Sequence, residues 1–328
     1  MKKAFLAIVC GLLITVSCNK SSNQHATEPT EPTTDEGFTP SQRSCSSNDV
    51  LEEQLKTDPG LRRRMDLIEA FTDEFVKNPL QQRLLSNGII EIPVVVNVLY
   101  RTAAQNISLA QIQSQIDVLN EDFSAANADY NNTSTYNSVK SGDVGVRFVL
   151  DQVIRKSTTK TSWSTNDAMK KNAQGIAPTS PTTKLNLWVC NLSGGILGYA
   201  QFPGGSSSTD GVVIDDNACG RTGTAAAPFN KGRTATHEVG HWLNLRHIWG
   251  DATCGNDLVG DTPLHNTANY GCPAAGHRST CSGTPVEMTM NYMDYSDDAC
   301  MYMFSAGQKT RMLAVFAAGG PRNSFAQP

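Results

Sequence analysis

Hydrophobic positions along the chain fall into short groups with two periods. Between Val50 and Lys77 they recur at helical spacing. Val50, Leu51 and Leu55 make one stripe, and Leu61, Met65, Ile68, Phe71 and Phe75 make another. Asp58-Pro59-Gly60 interrupts the two and Pro79 closes the second, so the pattern predicts a pair of helices. At Ile89 the texture changes. The nearly unbroken apolar run to Tyr100 predicts a buried strand. Ser108 then caps an amphipathic helix carrying Ile112, Ile116, Leu119 and Phe123. Further strands are predicted at Val144–Leu150, Leu185–Val189, Gly198–Phe202 and Gly211–Ile214, with a helix from about Asn230 to Leu243. Beyond it Gly, Pro, Asn, Asp and Cys dominate until a short helix from Ser305 to Phe316. No internal repeat is present. The order predicts a strand-and-helix half, a central helix, and an irregular half that needs other means of support.

The N-terminus has a different character. Lys2 and Lys3 precede an apolar run from Ala4 to Val16, followed by Ser17 and Cys18. A charged start, a short apolar stretch and a small residue describe an export signal over 1–18. The run is too short to span a bilayer as a helix. Val16-Ser17-Cys18 resembles a lipobox, which makes Cys18 a candidate lipidation site; Thr15 departs from the usual leucine, and simple secretion is the alternative. Residues 19–42 are rich in Ser, Thr, Pro and Glu, and read as a flexible linker. The chain of 328 residues has a net charge of -4, and no long basic run suggests nucleic acid as a partner. Nine cysteines in an exported chain point to disulfides.

The chemistry concentrates at residues 237–247, His-Glu-Val-Gly-His-Trp-Leu-Asn-Leu-Arg-His. On a helix, His237 and His241 are one turn apart and both reach a single ion. Three neutral imidazoles leave zinc a fourth position for water, the arrangement of a catalytic site. Glu238, turned roughly 100° from His237 on the helix, approaches the open side of the metal as a general base rather than a ligand. His247 lies too far along for one helical face, so the chain must turn sharply. Asn244 stands where that turn requires a left-handed backbone, which asparagine tolerates best after glycine.

This stretch resembles the metzincin signature, with Asn244 in place of the usual glycine. Asn291-Tyr292-Met293-Asp294-Tyr295 is similar to the metzincin Met-turn. Gly240-His241-Trp242, Leu197-Gly198-Tyr199-Ala200-Gln201-Phe202-Pro203 and Asp261-Thr262-Pro263 resemble the pappalysin-like family, specifically its ulilysin-like bacterial branch. The resemblance runs from about Cys45 to Gly320. It implies an α+β, metzincin-like catalytic domain: a twisted five-stranded mixed sheet with helices, over an irregular C-terminal subdomain stapled by disulfides. The domains implied are a propeptide over 43–86 and a catalytic domain over 87–320, divided into 87–243 and 244–320. Met293 would form a floor beneath the zinc ligands, and Tyr295 would stabilise the tetrahedral intermediate. Leu197, Gly198, Tyr199 and Ala200 would line the cleft as an edge strand binding substrate as an added antiparallel strand.

The resemblance also implies two disulfides, Cys254–Cys281 and Cys272–Cys300. Cys190 and Cys219, near the ends of predicted strands, are a candidate third pair. Structural calcium is implied at 255–262, where Asp257, Thr262 and Asp261 are candidate ligands. Asp297 and Asp298 follow the Met-turn near the family's pocket for the residue after the scissile bond, where a carboxylate would favour arginine or lysine; the uncharged Ala299 weighs against it. Cys45 is left over once Cys10 in the signal, Cys18 and three pairs are set aside. Some family members use a propeptide cysteine as a switch, and Cys45 is the candidate fourth zinc ligand of a latent precursor, with a cut expected within Gln81–Asn87. The expectation is a secreted or lipid-anchored zinc endopeptidase of the cell envelope acting on protein or peptide substrates, touching membrane only through its anchor. The alternative is a surface lipoprotein that binds a partner and carries a vestigial metal site.

Overall fold

The apolar run after Ile89 lies near the middle of a sheet. In a computed structural model that describes residues 40–78, 80, 82, 88–132 and 135–326, β1 spans Ile90–Tyr100 and lies between β2 (Val146–Ser157) and β3 (Leu185–Cys190). The sheet order is β2-β1-β3-β5-β4, with β4 at Gly198–Ala200 and β5 at Val212–Asp215. β1 pairs in parallel with β2 and β3, and β3 with β5; only β4 is antiparallel. A strand flanked on both sides and covered on both faces must be apolar throughout, which is why β1 shows no alternation of polar residues. Its Ile92, Val94, Val96 and Val98 face the main core, while Leu99 packs on the opposite face with Trp163, Trp188 and Tyr199.

α3 (Leu109–Phe123) and α4 (Arg233–Trp242) lie on the main-core face. The Ser108 side chain accepts the Gln111 N–H and caps α3. β2 runs well past its predicted end at Leu150. Its last residues are mostly exposed or half-buried on an outer edge, so they carry little of the period-two signal that marks a strand.

The two predicted N-terminal helices are α1 (Ser47–Thr57) and α2 (Leu61–Lys77). α2 buries Phe75 in the main core, while Leu61 and Met65 pack on Phe202. The Glu69 carboxylate receives the Arg311 guanidinium at 2.6 Å. The signal stretch with Cys18, the linker up to residue 39, and all of the 81–87 cut region except Gln82 lie outside the described residues.

The C-terminal half holds one α-helix among the described residues, α5 (Ala306–Ala314), with a Ser305/Gln308 capping box. Two disulfides, Cys254–Cys281 and Cys272–Cys300, close loops of 27 and 28 residues. Chain entropy assigns each about 3–4 kcal/mol. Cys190 and Cys219 are not bonded, which corrects the third pair. They belong to different clusters, Cys190 with Trp188 on one face of the sheet and Cys219 with the main core on the other. A strand layer separates the two sulfurs.

Candidate metal centre

α4 carries His237 and His241 one turn apart, and the chain then reverses at Asn244, whose φ is 72°. Cysteine and histidine donors converge as a result. The His241 Nε2 lies 3.2 Å from His237 Nε2 and 3.1 Å from His247 Nε2. Donors about 2.0–2.1 Å from a tetrahedral zinc ion sit roughly 3.3 Å from one another, so the three rings fit that ion. Cys45 completes the group; its Sγ and the three ring nitrogens all lie within 4.8 Å of one another, and every one of these residues is buried.

Each ring is oriented from behind. His237 Nδ1 is 2.6 Å from the Tyr292 carbonyl, His241 Nδ1 is 2.8 Å from the Leu245 carbonyl, and His247 Nδ1 is 2.5 Å from Asp251 Oδ1. Acceptors at Nδ1 place the proton there and leave the Nε2 lone pair free for a metal. Trp249 stacks on His247 with ring centroids 4.3 Å apart. Burial drives His237 well below its ordinary value and His241 down to about 3, with the neighbouring imidazoles adding to the effect. Both rings are therefore neutral, the form that ligates.

Met293 lies directly beneath α4. A Cβ on Gly240 would come within 2.4 Å of its Sδ, so the glycine between the two histidines allows the Met-turn to approach. Asn291 holds the turn by exchanging side-chain hydrogen bonds with Gln308 of α5, at 2.8 and 3.0 Å. Glu238 faces the cleft. Burial pushes its carboxyl up to about 7 against hydrogen bonds from Ser47 and Cys45. Gly198 of β4 passes so close that a Cβ there would stand 3.0 Å from Glu238 Oε1.

The 43–47 segment fills the cleft. It runs parallel to β4, with Leu197 N–H donating to Ser44 O at 2.9 Å and Ser46 N–H to Gly198 O at 3.1 Å. The Tyr295 hydroxyl donates to the Cys45 carbonyl at 3.0 Å. The Arg43 guanidinium lies wholly buried. Nη2 reaches Asp298 Oδ1 at 2.6 Å, Nη1 reaches Thr234 Oγ1 and Nε the Ser296 carbonyl, both at 3.2 Å, and the Phe229 ring lies 5.1 Å away. Asp298 is buried too, and its other oxygen accepts the Lys231 N–H ahead of α4. Tyr199 turns its side chain away from the cleft, where its hydroxyl donates to Asp167 at 3.0 Å, so only its backbone belongs to the edge strand.

Of the candidate calcium residues, Asp257 and Thr262 are together: the Thr262 hydroxyl is 2.9 Å from both Asp257 oxygens. Asp261 is directed elsewhere, accepting from Ser305 Oγ and the Gly307 N–H at the start of α5. The residues missed in the sequence are Asp251, Trp249, Arg43 and Ser47. Only Asp251 carried a local signal, as an acid four positions after the third histidine.

Residues 181–317 match the Peptidase_M43 family, described as pregnancy-associated plasma protein-A. An extracellular metalloprotease of Pyricularia oryzae is 36% identical over 223 residues, covering 66% of this chain and 70% of its own. Another, of Colletotrichum graminicola, is 32% identical over 300 residues, covering 84% and 91%. Mature mirolysin of Tannerella forsythia in complex with a cleaved peptide is 44% identical with a TM-score of 0.70, across 73% of this chain and 96% of that one. A promirolysin mutant of the same organism is 41% identical with a TM-score of 0.78, across 87% and 97%.

The contact behind His247 is open to a direct check. Asp251→Ala should weaken zinc affinity by about 10–100-fold, because the ring loses the partner that orients it. Competition with a chromophoric chelator measures this, and unchanged affinity would remove Asp251 from the site.

Proposed function

The chain belongs to the pregnancy-associated plasma protein-A family of peptidases and is a zinc metalloendopeptidase made as a precursor; from that premise we propose that His237, His241 and His247 hold the zinc and that Glu238 is its general base. The observation that carries this reading is the convergence of three oriented imidazoles beside a buried carboxylate. Zinc held there supplies Lewis acidity toward a water and a peptide carbonyl. Glu238 accepts the proton of the attacking water and passes it toward the leaving amine. Tyr295, whose hydroxyl already meets a backbone carbonyl in the cleft, donates to the oxyanion. The outward groups of β4 bind substrate backbone.

The proposed precursor is divided into a signal over 1–18, a linker over 19–42, a propeptide over 43–86 and a catalytic domain over 87–320. Several relatives carry the name extracellular metalloprotease, which supports export of this chain; Cys18 is the proposed lipid anchor at the cell envelope. Asp257 and Thr262 are proposed to contribute to a structural calcium site, since a buried carboxylate and hydroxyl are hard oxygen donors. Substrates are proteins or peptides, as in the relative bound to a cleaved peptide.

Latency follows from the direction of the 43–47 segment. It lies parallel to β4, whereas a substrate strand would lie antiparallel, so its peptide bonds meet the catalytic groups in reversed polarity. Cys45 occupies the fourth ligand position that water needs. Arg43 reaches Asp298 from within the same segment and marks a pocket that suits a basic residue after the scissile bond. Its guanidinium meets three separate acceptors and an aromatic face, a set that a lysine could match only in part.

Three outcomes follow. Glu238→Ala should keep its zinc and lose about 10²–10⁴-fold in casein cleavage; wild-type cleavage by that variant would overturn the mechanism. An uncleaved Cys45→Ala precursor, blocked between residues 80 and 88, should be more active than its uncleaved parent, and equal rates would end the thiol-switch reading. Cleavage sites in a denatured proteome digested with mature enzyme should be enriched in arginine directly after the cut, and a flat profile there would exclude the pocket.

A further inference from the structure

A second group of the inhibitory segment reaches the catalytic carboxylate. Ser47 is the first residue of α1 and is fully buried. Its Oγ lies 2.8 Å from Glu238 Oε2 and 2.8 Å from the backbone nitrogen of Ala200. A hydroxyl has one proton and two lone pairs. The Ala200 N–H can only donate, so the hydroxyl accepts from β4 and gives its own proton to Glu238. The hydroxyl does nothing for its own helix: Ser46 is the N-cap of α1, and no side chain caps that end.

We propose that Ser47 is an inhibitory residue in its own right, which occupies the general base and masks a backbone donor of the edge strand, alongside the Cys45 thiol that lies 3.2 Å from its Oγ and 3.3 Å from the same Glu238 oxygen. The proposal rests on the reading of Glu238 as the base. A water serving that base would stand at hydrogen-bond distance from the same carboxylate, and the Ser47 hydroxyl takes that position. The bond is strong for its kind, because the acceptor is a carboxylate in a site from which solvent is excluded. Its placement costs little entropy. Ser47 is held from one side by the 44–46 pairing with β4 and from the other by α1, whose Val50 is buried with Trp188 and Tyr199. Ala200 N–H is one of the outward donors of an edge strand and has no other partner to offer a substrate while Ser47 is present.

Loss of the thiol alone therefore leaves the base capped. The test uses the full precursor with cleavage blocked between residues 80 and 88, in parent, Cys45→Ala, Ser47→Ala and double-substituted forms, with mature enzyme as reference on a quenched peptide. The double variant should exceed Cys45→Ala by about tenfold to a hundredfold, the factor expected for a hydrogen bond to a charged group. Adding Val50→Ala to Cys45→Ala instead loosens the packing of α1 without touching the hydroxyl, and should give no such gain. A double variant no faster than Cys45→Ala, a Cys45→Ala precursor already as fast as mature enzyme, or an equal gain from Val50→Ala would each overturn the role of Ser47. An inactive mature enzyme would instead sink the peptidase reading, so the two failures are distinct. Thermal melting of every precursor confirms that the rates compare folded proteins.

Discussion

Three imidazole nitrogens have to meet at one point, and a single helix can deliver only two of them. His237 and His241 are one turn apart on α4; the third comes only because the chain reverses at Asn244 with φ at 72° and returns His247 within 3.1 Å of its neighbour. Much of the surrounding structure serves that convergence. The Tyr292 and Leu245 carbonyls and Asp251 fix the ring orientations from behind. Gly240 admits Met293 beneath the helix, and Asn291 with Gln308 clamps the turn that carries it. The two disulfides lie in the half of the chain that builds this floor, where few backbone ladders restrain it. Placing three neutral rings in a dry interior is unfavourable unless their lone pairs are used, which is the physical sense in which the site asks for a metal.

In the proposed latency the 43–47 segment turns the same geometry against itself. A strand that pairs with β4 in the wrong direction uses the binding energy of the cleft without presenting a cleavable bond. Arg43, Cys45 and Ser47 are successive alternate residues of that strand and first helical turn: Arg43 meets Asp298 in the pocket, Cys45 meets the histidine cluster and Glu238, and Ser47 meets Glu238. Alternation is what an extended backbone imposes. α2 then holds the segment in place through Phe75, Leu61 and Met65 and through the Glu69–Arg311 pair. Arg311 is buried and Glu69 mostly so, so the pair is shielded from solvent and adds to the apolar contacts in this docking.

Much of this was legible in the chain because it depends on local spacing. The periods of 3.6 and near-continuous hydrophobicity located α1, α2, β1 and α3. The spacing of the three histidines and the position of Asn244 pointed to the histidine cluster and its turn. Contacts across long separations were not legible. Nothing near Arg43 indicates that its partner is Asp298, and nothing near Ser47 points to Glu238, since both pairings arise only when the segment crosses the cleft. Cys190 and Cys219 looked alike in sequence, each near a strand end, yet Cys190 lies within β3 and packs on one face while Cys219, in the turn after β5, packs on the other. The outer part of β2 was missed because an edge strand with half-exposed residues loses the alternation that identifies strands. Asp261 looked like a partner of Asp257 and instead serves the start of α5, a choice set by tertiary packing.

The central claim is that the cleft of the precursor is closed by its own thiol at the metal. X-ray absorption at the zinc edge reads that directly. In uncleaved, zinc-loaded precursor it should show three nitrogen neighbours at about 2.0–2.1 Å and one sulfur at about 2.3 Å, and in mature enzyme the sulfur should be gone. A precursor with no sulfur around its zinc would contradict the account.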